Sequence, residues 1–337
     1  MLNFDENRFL RIQSGAVALA PAIDASVAAC LSRQCKNIFF LGTGGAAILM
    51  QPAVQLLQRR STFPAFSEIS AELVVTGHAA LGAESIVVIP SLSGTTKESI
   101  AALQYCKARG ATVITLIGHA GTPLAQDADH AFVNFAEDDT SCEGFYLQSY
   151  LIALSIMRQR GEIRGYETTA SEFSRLPTVL LDAKRHFEPL AEKLADSIKS
   201  EPYHIITASG FCWPQAWYYG MCILEEMQWI RTRPVHASDF FHGTLELVEQ
   251  GVSVIVLKGE DATRPLADRV ERFVRQYTDK VHVIDTANYA LAGLSASTRT
   301  LVSPILLASV LERLSAHMEF KRNHPLTTRR YYKRVAY

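Results

Sequence analysis

The strongest constraint on this chain is a β-branched run that ends in a hydroxyl-rich turn and passes straight into a helix. Ser85-Ile86-Val87-Val88-Ile89 has the continuous apolar character of a parallel strand covered on both faces. Pro90-Ser91-Leu92-Ser93-Gly94-Thr95-Thr96 follows, and then a helical stretch from Lys97 to Arg109 that sets Ile100, Leu103 and Lys107 near one face and that Gly110 closes. A helix N-terminus offers unpaired N–H groups and partial positive charge, so hydroxyls at Ser91, Ser93, Thr95 and Thr96 could complete the coordination of a phosphate. Any one of them alone reads more plainly as a helix cap. Four around one glycine favour the phosphate.

The same strand-turn-helix unit recurs along the chain. Asn37-Ile38-Phe39-Phe40-Leu41 enters the turn Gly42-Thr43-Gly44-Gly45, with a helix over 46–60 behind it. This G-x-G-G turn lacks the G-x-G-x-x-G spacing of a dinucleotide site, yet glycine still lets the backbone approach an anion closely. Further strands are expected at 65–70, 112–118 and 131–134, an apolar helix at 145–158, and an N-terminal helix at 6–30 with Val17, Ala20 and Val27 turned to a core. A charged helical connector follows. A second round then places strands at 203–210, 252–258 and 281–285 and helices at 217–229, 264–277 and 302–320. The expectation is an α/β chain with an N-terminal helix (1–36), a first domain (37–160), a connector (161–200) and a second domain (201–337). Each domain is a parallel sheet flanked by helices, a flavodoxin-like three-layer sandwich, and the second repeats the first. In such a sheet the turns at Gly42 and Ser91 leave from the same carboxyl edge and could meet one ligand.

Composition narrows the partners. Thirty-three Lys and Arg against 34 Asp and Glu leave a formal charge of -1, with no basic run interleaved with aromatics, which excludes an obvious nucleic-acid partner. No apolar stretch is expected to approach the ~20 residues of a bilayer crossing, so no membrane partner is expected. Six cysteines without a C-x-x-C pair, behind a polar start, point to a reducing cytoplasm.

The densest polar chemistry lies in the second half. Leu224-Glu225-Glu226-Met227-Gln228-Trp229 sets two carboxylates among large apolar residues, and His242 follows in Phe240-Phe241-His242-Gly243. A carboxylate on a mostly buried helix can act as a base near neutral pH, and a histidine on a glycine-hinged loop can pass protons. The plainer reading pairs the glutamates with Arg231 and Arg233 and packs His242 beside Phe241.

Four segments together resemble a known family: Leu41-Gly42-Thr43-Gly44; Ser91-Leu92-Ser93-Gly94-Thr95-Thr96; Leu224 to Trp229 with Phe241-His242-Gly243; and the tail from His324-Pro325-Leu326-Thr327-Thr328-Arg329-Arg330-Tyr331 to Tyr337. The chain resembles sugar isomerase (SIS) proteins with two tandem SIS domains. It is most similar to the fructoselysine- and glucoselysine-6-phosphate (Amadori) deglycases. The resemblance implies that Ser91, Leu92 through its backbone, Ser93 and Thr96 hold a sugar phosphate, helped by Thr43 and Gly44. Many members have serine where this chain has Gly44, so one hydroxyl is missing. It further implies Glu226 as catalytic base, His242 as a second catalytic group that often comes from a neighbouring subunit, and hence a homodimer or a higher assembly of dimers. Lys333, Arg330 and His324 are implied as tail contacts.

The implied activity is cofactor-free cleavage of a 6-phosphorylated glycated amino acid to glucose 6-phosphate and the amino acid. No metal is called for. Residues 137–139 with Glu143 form an acidic group that could meet a lysine-type ammonium, or simply be solvated. The alternatives are an aldose–ketose isomerase, an aminosugar-phosphate isomerase or deaminase, and a non-catalytic sugar-phosphate sensor. A full glutamine-dependent synthase is not expected, since no cysteine follows Met1, and 36 residues before Asn37 are few for a DNA-binding module.

Overall fold

A computed structural model describes residues 1–134, 143–332 and 334–336. The chain forms two compact units, Glu6–Pro177, and Thr178–Tyr337 joined by Met1–Asp5. Each is an α/β sandwich around its own parallel sheet, so the two-domain α/β expectation holds.

In the first unit β1 (Asn37–Gly42), β2 (Ala65–Ile69), β3 (Ser85–Ser91), β4 (Thr112–Ile117) and β5 (His130–Val133) pair in the order β2-β1-β3-β4-β5, every pair parallel. β3 and β4 are buried along their whole length, which is why they read as unbroken apolar runs. One face of the sheet presents Phe39, Leu41, Val87, Ile89 and Val113 to Leu73, Leu103 and Cys106. The helix Lys97–Ala108 therefore buries Ser99, Ala102, Leu103 and Cys106, which corrects the expected stripe through Lys107. Lys107 instead donates to the Asp127 carbonyl.

The expected N-terminal helix is two helices, Glu6–Ala18 and Ala20–Ser32, parted at Leu19 just ahead of Pro21, whose ring cannot follow a continuous turn. Both pack on the helix Glu143–Gln159 and bury Phe9, Ile12, Ile23 and Val27, while Val17 and Ala20 are only half-covered. By length and hydropathy the segments Glu6–Ser32 and Ala296–Arg322 would both suffice to cross a bilayer, which corrects the expectation that no such stretch exists. The apolar stretch of Ala296–Arg322 is buried in the core of its unit.

The second unit orders β6 (Tyr203–Ala208), β7 (Arg231–His236), β8 (Ser253–Lys258) and β9 (Val281–Asp285) as β7-β6-β8-β9, again all parallel. That order repeats the first four strands of the first sheet. β7 reads as a loop in sequence because Arg231, Arg233 and Pro234 interrupt it. As an edge strand it tolerates a proline that donates nothing. Ile205, Val235, Val254 and Val256 meet Ala267, Val270 and Val274 of the helix Arg264–Val274.

Candidate active site

In the first sheet the chain runs from β1 outward to β2 on one side and to β3 on the other, so the switch point of the topology lies between β1 and β3. The turns at the carboxyl ends of these two strands flank the crevice where ligands of such sheets bind. Thr43 and Gly44 are exposed there. Gly44 has φ +60°, and a Cβ on it would meet nothing within 4 Å, so backbone angle rather than room favours glycine over serine.

The turn 91–96 is organised by its own hydroxyls. Ser91 Oγ lies 3.1 Å from Thr96 Oγ1 and accepts from the Gly94 N–H at 3.1 Å, while Ser93 Oγ accepts from the Thr95 N–H at 3.3 Å and the Thr95 hydroxyl at 3.1 Å. Thr96 stands at the N-cap of Lys97–Ala108 but its side chain makes no cap bond. Gly94, at φ +66°, is pressed so close to Thr122 that any Cβ would collide with it. The Leu92 carbonyl accepts from the Gly118 N–H at 3.1 Å, which ties the turn to the end of β4. Ser93, Thr95 and Thr96 reach solvent and Ser91 is buried. The helix N-terminus thus faces a rim of hydroxyls, suited to a dianion.

The corresponding turns of the second sheet, after β6 and β8, are filled from within. The Asp261 carboxylate accepts from the Phe211 N–H at 2.8 Å, the Thr263 N–H at 2.7 Å and the Thr263 hydroxyl. Gly210, at φ +55°, has a Cβ position that this carboxylate overlaps. The protein's own anion occupies the turn that in the first unit is a run of hydroxyls. Sequence reading missed this role of Asp261.

Glu226 is the penultimate residue of a nine-residue π-helical run, Tyr219–Met227, entered through Trp213–Tyr218. Such runs are rare and cluster at functional sites. Gly220 lets the run close on β7, since a Cβ there would sit 2.6 Å from Pro234. The run is closed by Trp229 at φ +57°, with the Trp229 N–H on the Glu225 carbonyl at 3.1 Å and the Ile230 N–H on the Leu224 carbonyl at 2.8 Å. That is a Schellman-type end in which tryptophan stands where glycine is usual, a strained choice. Of the two carboxylates, Glu225 is exposed and accepts from the Thr232 hydroxyl at 2.5 Å, whereas Glu226 is half-buried.

The C-terminal tail folds onto this helix end. Arg329 Nε donates to Glu226 Oε1 at 2.9 Å, and its Nη1 donates to the Leu326 and Thr328 carbonyls at 2.6 and 3.0 Å. Gln228 donates to the His324 carbonyl at 2.8 Å, the His324 ring meets Trp229 edge-on at 4.5 Å, and the Arg330 guanidinium lies 4.0 Å over the same indole. Burial, and then the charge of Arg322, hold the His324 ring below the ordinary histidine range. Of the expected tail contacts, His324 and Arg330 therefore touch Trp229, and Lys333 lies outside the described residues. Arg329, the residue that reaches Glu226, was not among the expected ones.

His242 is exposed on the loop after β7, with its N–H on the Asp239 carbonyl at 2.8 Å and Gly243 beyond it at φ +133°. Glu143 is buried at the head of its helix, and residues 137–139 lie outside the described ones. Among the described residues no group of three or more His, Cys, Asp or Glu is placed to hold a metal ion.

Residues 32–158 match the SIS domain. The chain is 30% identical over 303 residues to a fructosamine deglycase of Bacillus subtilis, covering 89% of this chain and 92% of that protein. It is 26% identical over 312 residues to a fructoselysine 6-phosphate deglycase of Escherichia coli K12, covering 93% and 90%. A crystal structure from Salmonella typhimurium LT2, described as a phosphosugar isomerase, superposes with a TM-score of 0.87 at 30% identity over 96% of this chain and 97% of that one. One from Bacillus subtilis gives 0.87 at 28% identity over 95% and 100%.

Proposed function

This chain belongs to the SIS family of phosphosugar isomerases and deglycases, and from that premise we propose that it is a deglycase of 6-phosphorylated glycated amino acids, fructoselysine or glucoselysine 6-phosphate foremost. One observation carries the reading. The segments 224–229 and 324–330, on which the likeness to deglycases most depends, form one bonded unit around Glu226, joined by an ion pair that spans 103 positions of sequence.

The 6-phosphate is held by Ser91, Ser93 and Thr96, by backbone at Leu92, and by Thr43 and Gly44. Its binding energy then positions the reacting carbons. In a fructosyl conjugate Glu226 removes a proton from carbon 1 of the ketone form and returns one to carbon 2, while the carbon 2 oxygen gains a proton and the nitrogen loses one, which converts the C1–N single bond to an imine. Water adds to that imine, the C1–N bond breaks, and the products are glucose 6-phosphate and the free amino acid. His242, supplied across a homodimer, assists ring opening and moves the proton of the sugar oxygen. Among the described residues five cysteines are buried and free, which supports a reducing, cytoplasmic setting.

The test is a coupled assay of glucose 6-phosphate release from fructoselysine, glucoselysine and fructose-asparagine 6-phosphates. Release from at least one of them supports the reading and names the amine. Interconversion of fructose and glucose 6-phosphates, with no release from any conjugate, would replace it with an aldose–ketose isomerase.

A further inference from the structure

We propose that Arg329 is the positioning residue for Glu226, holding its carboxylate in one orientation and in its charged form for proton transfer. The inference rests on Glu226 being the base of the deglycase reading. Its ground is the way Arg329 is itself held. The turn 325–328, closed by the Thr328 N–H on the Pro325 carbonyl at 2.9 Å, presents two carbonyls to one edge of the guanidinium, which leaves Nε directed at Glu226. The turn is pinned in its turn by the Leu326 N–H on Glu319 Oε1 at 2.9 Å. Arg329 is only 11% exposed while Glu226 is 34% exposed, so the cation is fixed by protein and the carboxylate fronts solvent. A planar fork can bond carbonyls and a carboxylate together, which an ammonium on a flexible stem cannot reproduce.

Other charged or titratable groups lie on the elements packed here: Glu225 beside Glu226, Arg231, Arg233 and His236 on β7, Glu319 and Arg322 at the end of the helix Ala296–Arg322, and His324 and Arg330 on the tail. Arg329 is bonded to Glu226.

The experiment follows the Glu226 carboxyl directly, by carbon-13 NMR of glutamate-labelled protein with Glu226→Gln to assign the signal, alongside the pH profile of kcat/KM. Arg329→Gln should move both the carboxyl midpoint and the acid limb up by about one pH unit, the scale of losing an adjacent opposite charge. Arg329→Lys should keep the midpoint near wild type yet lower kcat about tenfold, through lost aim rather than lost charge. An unmoved midpoint and limb in folded Arg329→Gln, with an active wild type, would overturn the role of Arg329 alone. A wild type that cleaves no conjugate would instead sink the deglycase reading, whatever the NMR midpoint does.

Discussion

Ser91 Oγ lies 3.1 Å from Thr96 Oγ1, so the hydroxyl that should cap the helix Lys97–Ala108 is turned back across the mouth of its own turn. A cap and a phosphate ligand make opposite demands on this residue. Thr96→Ala should raise the KM for the phosphorylated substrate about tenfold, as expected for one hydrogen bond to a charged group, and should change the unfolding midpoint little. Loss of a true N-cap costs about 1 kcal/mol of stability. A lowered urea midpoint with an unchanged KM would return Thr96 to the role of an ordinary cap.

A buried ionic network holds the second unit. Lys184 Nζ pairs with Glu312 at 2.8 Å and bonds the Ser309 carbonyl at 2.8 Å. Arg313, wholly buried, pairs with Glu312 at 2.6 Å and donates to the Leu2 carbonyl at 2.8 Å. Phe4 lies under both cations, 5.2 Å from Lys184 Nζ and 4.4 Å from the Arg313 guanidinium. Burial alone would raise the Glu312 carboxyl, but Lys184 and Arg313 pull it down to about 2. Removing one partner strands a buried charge, so Lys184→Met should cost roughly 3–5 kcal/mol in urea unfolding. Changing Lys184 and Glu312 together to apolar residues removes one charge of each sign and leaves Arg313 with Glu188 at 3.5 Å, so it should cost much less; equal losses in the single and double variants would contradict the network.

Much of the fold was legible and some was not, for definite reasons. β1, β3, β4 and β8 fall within two residues of their expected ends, because a strand covered on both faces must be a continuous apolar run. β7 was hidden by Arg231, Arg233 and Pro234, whose tolerance comes only from the edge position. The helix before Glu226 begins at Trp213, not near 217, and Pro214 in its first turn was the available signal. The turn 91–96, proposed to hold the phosphate, could be read locally, since all its hydroxyls lie within six positions. The Glu226–Arg329 pair could not, since no local pattern links residues 103 apart.

Acid should weaken the second unit through its sheet. His204 on β6 is buried, with Nδ1 2.8 Å from Ser253 Oγ of its register partner on β8. Burial, and then repulsion from His282 and Arg322, lower the ring from 6.5 to about 4. The unfolded chain therefore binds the proton more readily, and stability should be complete above pH 6.5 and be lost as pH falls from 6.5 toward 4, by at most about 3 kcal/mol for this group. His204→Gln should flatten the pH dependence of the urea midpoint in that window. An unchanged slope would show that His204 does not carry it.

The central claim is that Glu226 moves a proton from carbon 1 to carbon 2 before the amine leaves. Its most direct test uses fructoselysine 6-phosphate carrying two deuteriums on carbon 1, with the sugar product analysed by NMR and the rate compared with Glu226→Gln and His242→Ala. The account predicts glucose 6-phosphate retaining one deuterium on carbon 1, and at least a hundredfold slower release in each variant, the scale of losing general acid–base help. Fructose 6-phosphate retaining both deuteriums, formed as fast by Glu226→Gln as by wild type, would mean direct cleavage of the carbon–nitrogen bond and would contradict it.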